Sequence, residues 1–173
     1  MQPYENAIQS VNHVAYRCRD AEETRHFYED VLGLRLASAL WLKATLTARP
    51  VNLLHIFFEM GDNSFVAFFD VPDEYDEAMF PARSDFDLHV AMNVPDYETL
   101  LAYKEKLSKA GYHVRGPSDH GFLKSIYTHD PNGYVVELTW KTDKYDGIMS
   151  DHVANAHDIL KEWQKDKKSI AAK

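Results

Sequence analysis

The sequence predicts an α+β fold of two βαβββ modules followed by a helix, and three observations predict it. Residues 11–36 read VNHVAYRCRDAEETRHFYEDVLGLRL and residues 87–115 read DLHVAMNVPDYETLLAYKEKLSKAGYHVR, so a His-Val-Ala strand opening occurs twice. Each histidine, His13 or His89, is followed seven residues later by an aspartate, Asp20 or Asp96, at the place of a helix N-cap. Each helical stretch then ends on a glycine, Gly33 or Gly111, the residue that most easily adopts the left-handed stop conformation.

The elements follow in order. In module one, about 11–70, a helix is expected over 21–32 and strands over 35–42, 51–60 and 64–70, the last two joined by a Gly61-Asp62-Asn63 turn. An acidic connector with Pro72 and Pro81 occupies 71–85. Module two, about 86–141, carries a helix over 97–110 and strands over 113–115, 124–129 and 134–141, with an Asp130-Pro131-Asn132-Gly133 turn. A helical extension, 142–173, has its helix over 150–166, with Val153, Ile159, Leu160 and Trp163 as a packing stripe. At 173 residues, all of this fits a single domain.

Composition limits the function classes. A hydrophobic fraction of 45% supplies a real core, and the formal charge of −8 disfavours nucleic acid or an anionic membrane as a partner. Five lysines between Lys161 and Lys173 are interrupted by acids and read as a solvated helix end. Residues 1–10 lack the apolar core of a secretory signal, and no apolar run approaches the roughly 20 residues of a membrane span. Cys18 is the single cysteine, so a cytoplasmic protein without an internal disulfide is expected.

Strand alternation orients the histidines. Val14 and Tyr16 lie opposite His13 and Ala15, and Leu88, Val90 and Met92 lie opposite His89 and Ala91. The apolar sets can pack under the helices, leaving each histidine on the other face beside a small alanine. Glu137 stands in the apolar strand sequence Gly-Tyr-Val-Val-Glu-Leu-Thr-Trp, where a carboxylate is costly unless paired or metal-bound. Aligning the two modules through their turns puts Phe68 opposite Glu137, so module one supplies no matching carboxylate. One strand histidine alone is usually a hydrogen-bonded core residue. Two at the same repeat position, with a glutamate on the last strand, favour a divalent-metal site of His13, His89 and Glu137 with open coordination positions. His152 and His157, on the terminal helix, read as surface.

These residues resemble the vicinal oxygen chelate superfamily (glyoxalase, bleomycin resistance and extradiol dioxygenase proteins) over about 11–140. The resemblance lies in VNHVAYRCRD, FYEDVLGL at 27–34 and DPNGYVVELTW at 130–140. It implies paired modules forming a cup-shaped mixed sheet around a metal held by His13, His89 and Glu137. The stretch from His120 through Tyr127 and Asp130-Pro131-Asn132-Gly133 to Glu137 is similar to the extradiol ring-cleavage signature. That similarity implies Fe(II), with Mn(II) or another divalent metal as alternatives, and cleavage of a catechol-like aromatic ring with O2. It gives acid/base work to His120 and a hydrogen bond to substrate oxygen to Tyr127. The chain matches compact relatives with one pair of modules. It has no histidine around 63–66, where many catechol dioxygenases carry a further acid/base residue; His55 could substitute only if its strand faces the cleft.

Two alternatives remain open at this point. Glyoxalase-like isomerisation or epimerisation usually takes a carboxylate from both modules, whereas thiol transfer uses two histidines and one glutamate and would want cations such as Lys124 and Arg115 nearby. A metal-free drug-binding resistance protein would generally lack the ligand set. A homodimer is expected, with modules paired within a chain or exchanged between chains. Trp41, Phe57 and Phe122 are the aromatic candidates for the cleft wall.

Overall fold

The computed structural model describes residues 8–45 and 47–171. Residues 1–7, most of the stretch expected to lack a secretory signal, and the last lysine, Lys173, lie outside the described residues. Strand β1 (His13–Arg17) leads into α1 (Ala21–Arg25), where the Asp20 carboxylate accepts a 2.8 Å hydrogen bond from the Glu23 amide as an N-cap should. The helix continues as a wider π-helical turn over His26–Val31 and stops at Gly33, whose φ is 86°. Then come β2 (Arg35–Ala44), β3 (Pro50–Glu59) and β4 (Phe65–Asp70). The sheet order is β1-β4-β3-β2, with β1 parallel to β4 and the other pairs antiparallel.

The connector makes two short 3₁₀ turns, Pro72–Glu74 and Glu77–Met79, pinned to module one by Arg17 and Arg49 on Glu74. Module two repeats the plan with β5 (His89–Asn93), α2 (Tyr97–Lys109), β6 (Arg115–Asp119), β7 (Leu123–His129) and β8 (Val135–Lys141), in the order β5-β8-β7-β6. Asp96 caps α2 through the Thr99 amide at 2.6 Å. The fold class is therefore the expected one, two four-stranded mixed sheets with helices and a terminal helix.

Two element boundaries differ from expectation. β6 runs on through Gly116-Pro117, because it is the outer strand of its sheet, where a residue without an N–H loses no ladder bond. The last helix, α3 (Tyr145–Ala171), starts five residues earlier than expected, and one glycine, Gly147, does not break it. Its expected packing stripe is not packed: Val153, Ile159, Leu160 and Trp163 are 72%, 60%, 54% and 54% exposed. Its first two turns meet the body through Tyr145 and His152 against Phe122.

The two modules share one core. Phe27, Tyr28, Phe58 and Phe68 of module one lie in a single buried cluster with Leu100, Leu107, Ile126 and Val136 of module two. Polar ties cross between them: the Tyr28 hydroxyl donates to Asp130 at 3.1 Å, and the Arg19 amide donates to Asn132 Oδ1 at 2.7 Å. Val14, Tyr16, Val90 and Met92 pack into this core. Each sheet thus turns one face to the shared core and its His-Ala face away from it.

Candidate metal centre

Register decides which side chains meet on the open face of module two. Ala91 of β5 pairs with Glu137 of β8, and Glu137 pairs with Tyr127 of β7. His89 therefore stands one step along from the small Ala91, and the vacancy left by that alanine lets Glu137 reach it: His89 Nε2 lies 3.4 Å from Glu137 Oε2. The other ring nitrogen is committed, since His89 Nδ1 lies 2.8 Å from the Asp85 carbonyl. A carbonyl only accepts, so Nδ1 carries a proton, which leaves Nε2, facing the carboxylate, as the ring nitrogen that could ligate an ion. Glu137 is 7% exposed on a strand of buried residues.

A proton chain joins the same carboxylate. The Tyr127 hydroxyl donates to Glu137 Oε1 at 3.0 Å, and His120 Nε2 lies 2.9 Å from that hydroxyl. A phenol has one proton, and Tyr127 gives it to Glu137, so the His120 Nε2–H is the donor to the phenol oxygen. Burial first, and the neighbouring Glu137 next, push the Tyr127 phenol above its ordinary value. These groups line an open cleft of about 460 Å³ together with Phe86, Arg115 and Phe122.

His13 is not among them. It stands on the open face of the other sheet, with Nδ1 2.7 Å from Asn12 Oδ1 and its ring 5.6 Å from that of Phe57. Among the described residues no three His, Cys, Asp or Glu side chains of one chain converge as a metal cage. His55 shares the His13 face, because its partner Phe69 pairs with Arg17, two residues along β1 from Ala15 and on the same face. The His55 ring is 6.4 Å from the His13 ring, stacks on Phe69 at 3.7 Å and places Nδ1 3.0 Å from the Phe68 carbonyl. All three histidines, His13, His55 and His89, thus have Nδ1 engaged by an acceptor. The donor set suits a divalent ion: two imidazoles and a nearly buried carboxylate already paired with one of them.

The turn-based alignment of the modules is corrected by one residue. Ala91 pairs with Glu137 as Ala15 pairs with Ala67, so Ala67 and not Phe68 occupies the matching position. Phe68 is fully buried on the core side. Module one still offers no carboxylate there. Of the aromatic wall candidates, Phe122 lines the His89–Glu137 cleft and Phe57 stands beside His13. Trp41 pairs with the core-packed Leu54 and lines a separate cleft of about 630 Å³ with Arg19, Asn52 and Tyr75. The residue missed from sequence is Asp85, because a main-chain carbonyl leaves no signature in a sequence; Arg115, expected only as a nearby cation, is paired with the Asp85 carboxylate.

Comparison with known proteins agrees with this architecture. The chain is 27% identical over 137 residues to a probable lactoylglutathione lyase of Synechocystis, covering 78% of this chain and 97% of that protein. It is 25% identical over 142 residues to the putative ring-cleaving dioxygenase MhqA of Bacillus subtilis, covering 73% of this chain but 42% of that one. A variant of the fosfomycin resistance protein FosX of Listeria monocytogenes, solved with Mn(II) and 1S,2S-dihydroxypropylphosphonic acid, superposes with a TM-score of 0.58 at 16% identity over 79% of this chain and 96% of that chain. Residues 10–138 match the model of one family, and the chain belongs to it: the Glyoxalase/Bleomycin resistance protein/Dioxygenase superfamily.

Proposed function

We propose that this protein is a metal-dependent extradiol-type dioxygenase that opens a catechol-like ring with O2, in a site shared by two chains. The observation that carries the reading is the hydrogen-bonded series His120–Tyr127–Glu137 beside His89 in one cleft. His89 and Glu137 of one chain and His13 of a second copy would hold the ion, Fe(II) for preference and Mn(II) or another divalent ion otherwise. When bound, that ion supplies a Lewis acid for two adjacent ring oxygens and a redox partner for O2. Exchange is the arrangement proposed because His13 and the His89–Glu137 pair occupy the open faces of two different sheets, each turned from the shared core.

The chain's own residues supply the rest. Tyr127 presents a hydroxyl next to the carboxylate, where it can donate to an oxygen gaining negative charge. His120, hydrogen-bonded to that hydroxyl at the exposed rim, can return a proton through it. His55, on the face that carries His13, would be the module-one group that takes a proton from substrate. Phe122 and Phe57 give both half-sites apolar walls. A cytoplasmic location belongs to the same reading and rests on the single buried free thiol, Cys18.

Other chemistry of the superfamily fits less well. Isomerisation with a carboxylate from each module has Ala67 where the second carboxylate would stand. Transfer of a thiol to an anionic drug is less well served, because the two cations expected for it are engaged: Arg115 is paired with Asp85 and Lys124 lies 3.7 Å from Asp119. The deciding experiment is oxygen uptake with a panel of catechols after anaerobic Fe(II) loading, alongside metal analysis. Stoichiometric metal and substrate-dependent uptake are expected. Metal uptake with hemithioacetal isomerisation and no oxygen consumption would move the protein to the lyase branch.

A further inference from the structure

We propose that Arg115 is a positioning residue that holds the ligand histidine His89 through Asp85 and the proton donor Tyr127 through its ring. The inference rests on the metal-site reading above. It starts from an awkward feature of that site: the group fixing the His89 ring is a main-chain carbonyl in an exposed turn. Residues 84–88 are tied locally by the Asp87 amide on the Ser84 carbonyl at 3.1 Å, and Phe86 at the tip is 100% exposed. Such a turn, left to itself, would let the Asp85 carbonyl wander and the His89 ring turn with it.

Arg115 removes that freedom. From β6 its two terminal nitrogens reach both Asp85 carboxylate oxygens, at 2.7 and 2.5 Å, the fork-to-fork geometry that only a guanidinium makes. The pairing keeps the Asp85 carboxyl below its ordinary range and the guanidinium above its own, so both charges persist across the working pH range. The same guanidinium carbon lies 5.3 Å from the centre of the Tyr127 ring, directly across the β6–β7 pair. One cation therefore braces the back of the ligand and the face of the phenol.

The test compares Mn(II) affinity of the full chain by competition with a fluorescent chelator. Arg115→Met and Asp85→Asn should each weaken Mn(II) binding by roughly 10–100-fold, and Arg115→Lys should recover only part of it. The double variant should lose little more than either single one, since both cut the same link. In the metal-free protein at fixed pH, imidazole nitrogen NMR should show His89 protonated on Nδ1 in wild type and a mixture of tautomers in Arg115→Met. A structural role alone would lower thermal stability while leaving the tautomer and the affinity of the folded fraction in place, and that result overturns the proposal. Equal affinity in wild type and all four variants overturns it too. Absence of Mn(II) binding in wild type would instead defeat the metal-site reading beneath it.

Discussion

At the scale of single residues, Glu137 was legible because it breaks a local rule, whereas Tyr127 entered only through the similarity to the extradiol signature. A carboxylate inside an apolar strand demands a partner, and Glu137 has two, His89 and Tyr127. Replacing Tyr127 with Phe should leave metal content near wild type and lower kcat by roughly 10²-fold, the usual loss of one donor to developing charge, read by steady-state oxygen uptake. The one-residue alignment error also has a physical cause. The two turns superpose through their left-handed residues, Asn63 at φ 63° and Gly133 at φ 84°, and pairing those two brings Ala67 onto Glu137. Asparagine is among the few residues other than glycine that tolerate this conformation, so the signal was present but disguised. Cys18 gives a pH prediction. Burial, and Asp70 beside it, push its thiol from an ordinary 9.0 up to about 12. A raised value in the folded state means the unfolded chain releases this proton first. Its contribution to stability is thus intact below about 9 and lost as pH rises toward 12. Urea unfolding across that range should show a smaller fall in stability in Cys18→Ala than in wild type, the remaining fall coming from the buried phenols of Tyr28, Tyr16 and Tyr134, which burial also pushes up.

At the scale of elements, strands and helix starts were readable because caps and alternation are local chemistry. Asp20 and Asp96 stand in the expected capping geometry, and Asp96→Ala should cost about 1 kcal/mol in denaturant unfolding. Gly133 shows a constraint that only the folded chain reveals. A Cβ there would lie 2.7 Å from the Pro81 carbonyl oxygen, besides needing a left-handed backbone. Gly133→Ala should therefore destabilise by more than the roughly 1 kcal/mol of an ordinary left-handed position, with the connector shifted away from module two. The terminal helix was the least legible element. Periodicity shows that α3 has an apolar stripe but not what the stripe faces, and here it faces outward over Val153 to Trp163.

At the scale of the whole molecule, repetition made the two-module plan visible, while the relation between modules needed the long-range contacts of the core. Spacing pointed to His13, His89 and Glu137 as candidate ligands; it carried no information on whether one chain could bring them together. Mixing two inactive variants addresses the proposed exchange directly. His13→Ala and His89→Ala homodimers would each lack a ligand in both sites. A mixed dimer would pair the intact His13 of one chain with the intact His89 of the other, restoring one of its two sites. At equilibrium about half the dimers are mixed, so about a quarter of wild-type activity and metal content should return on co-refolding. No recovery would argue for ligands drawn from a single chain.

The core that joins both modules through Tyr28 and Asp130 belongs to one chain, whereas the proposed reaction centre belongs to two. The unit that folds and the unit that reacts then have different boundaries. Dilution would separate them: circular dichroism would report an intact fold at concentrations where turnover per chain had already fallen. Abundance in the cell would set specific activity as well as total activity, a kind of control that requires no effector molecule.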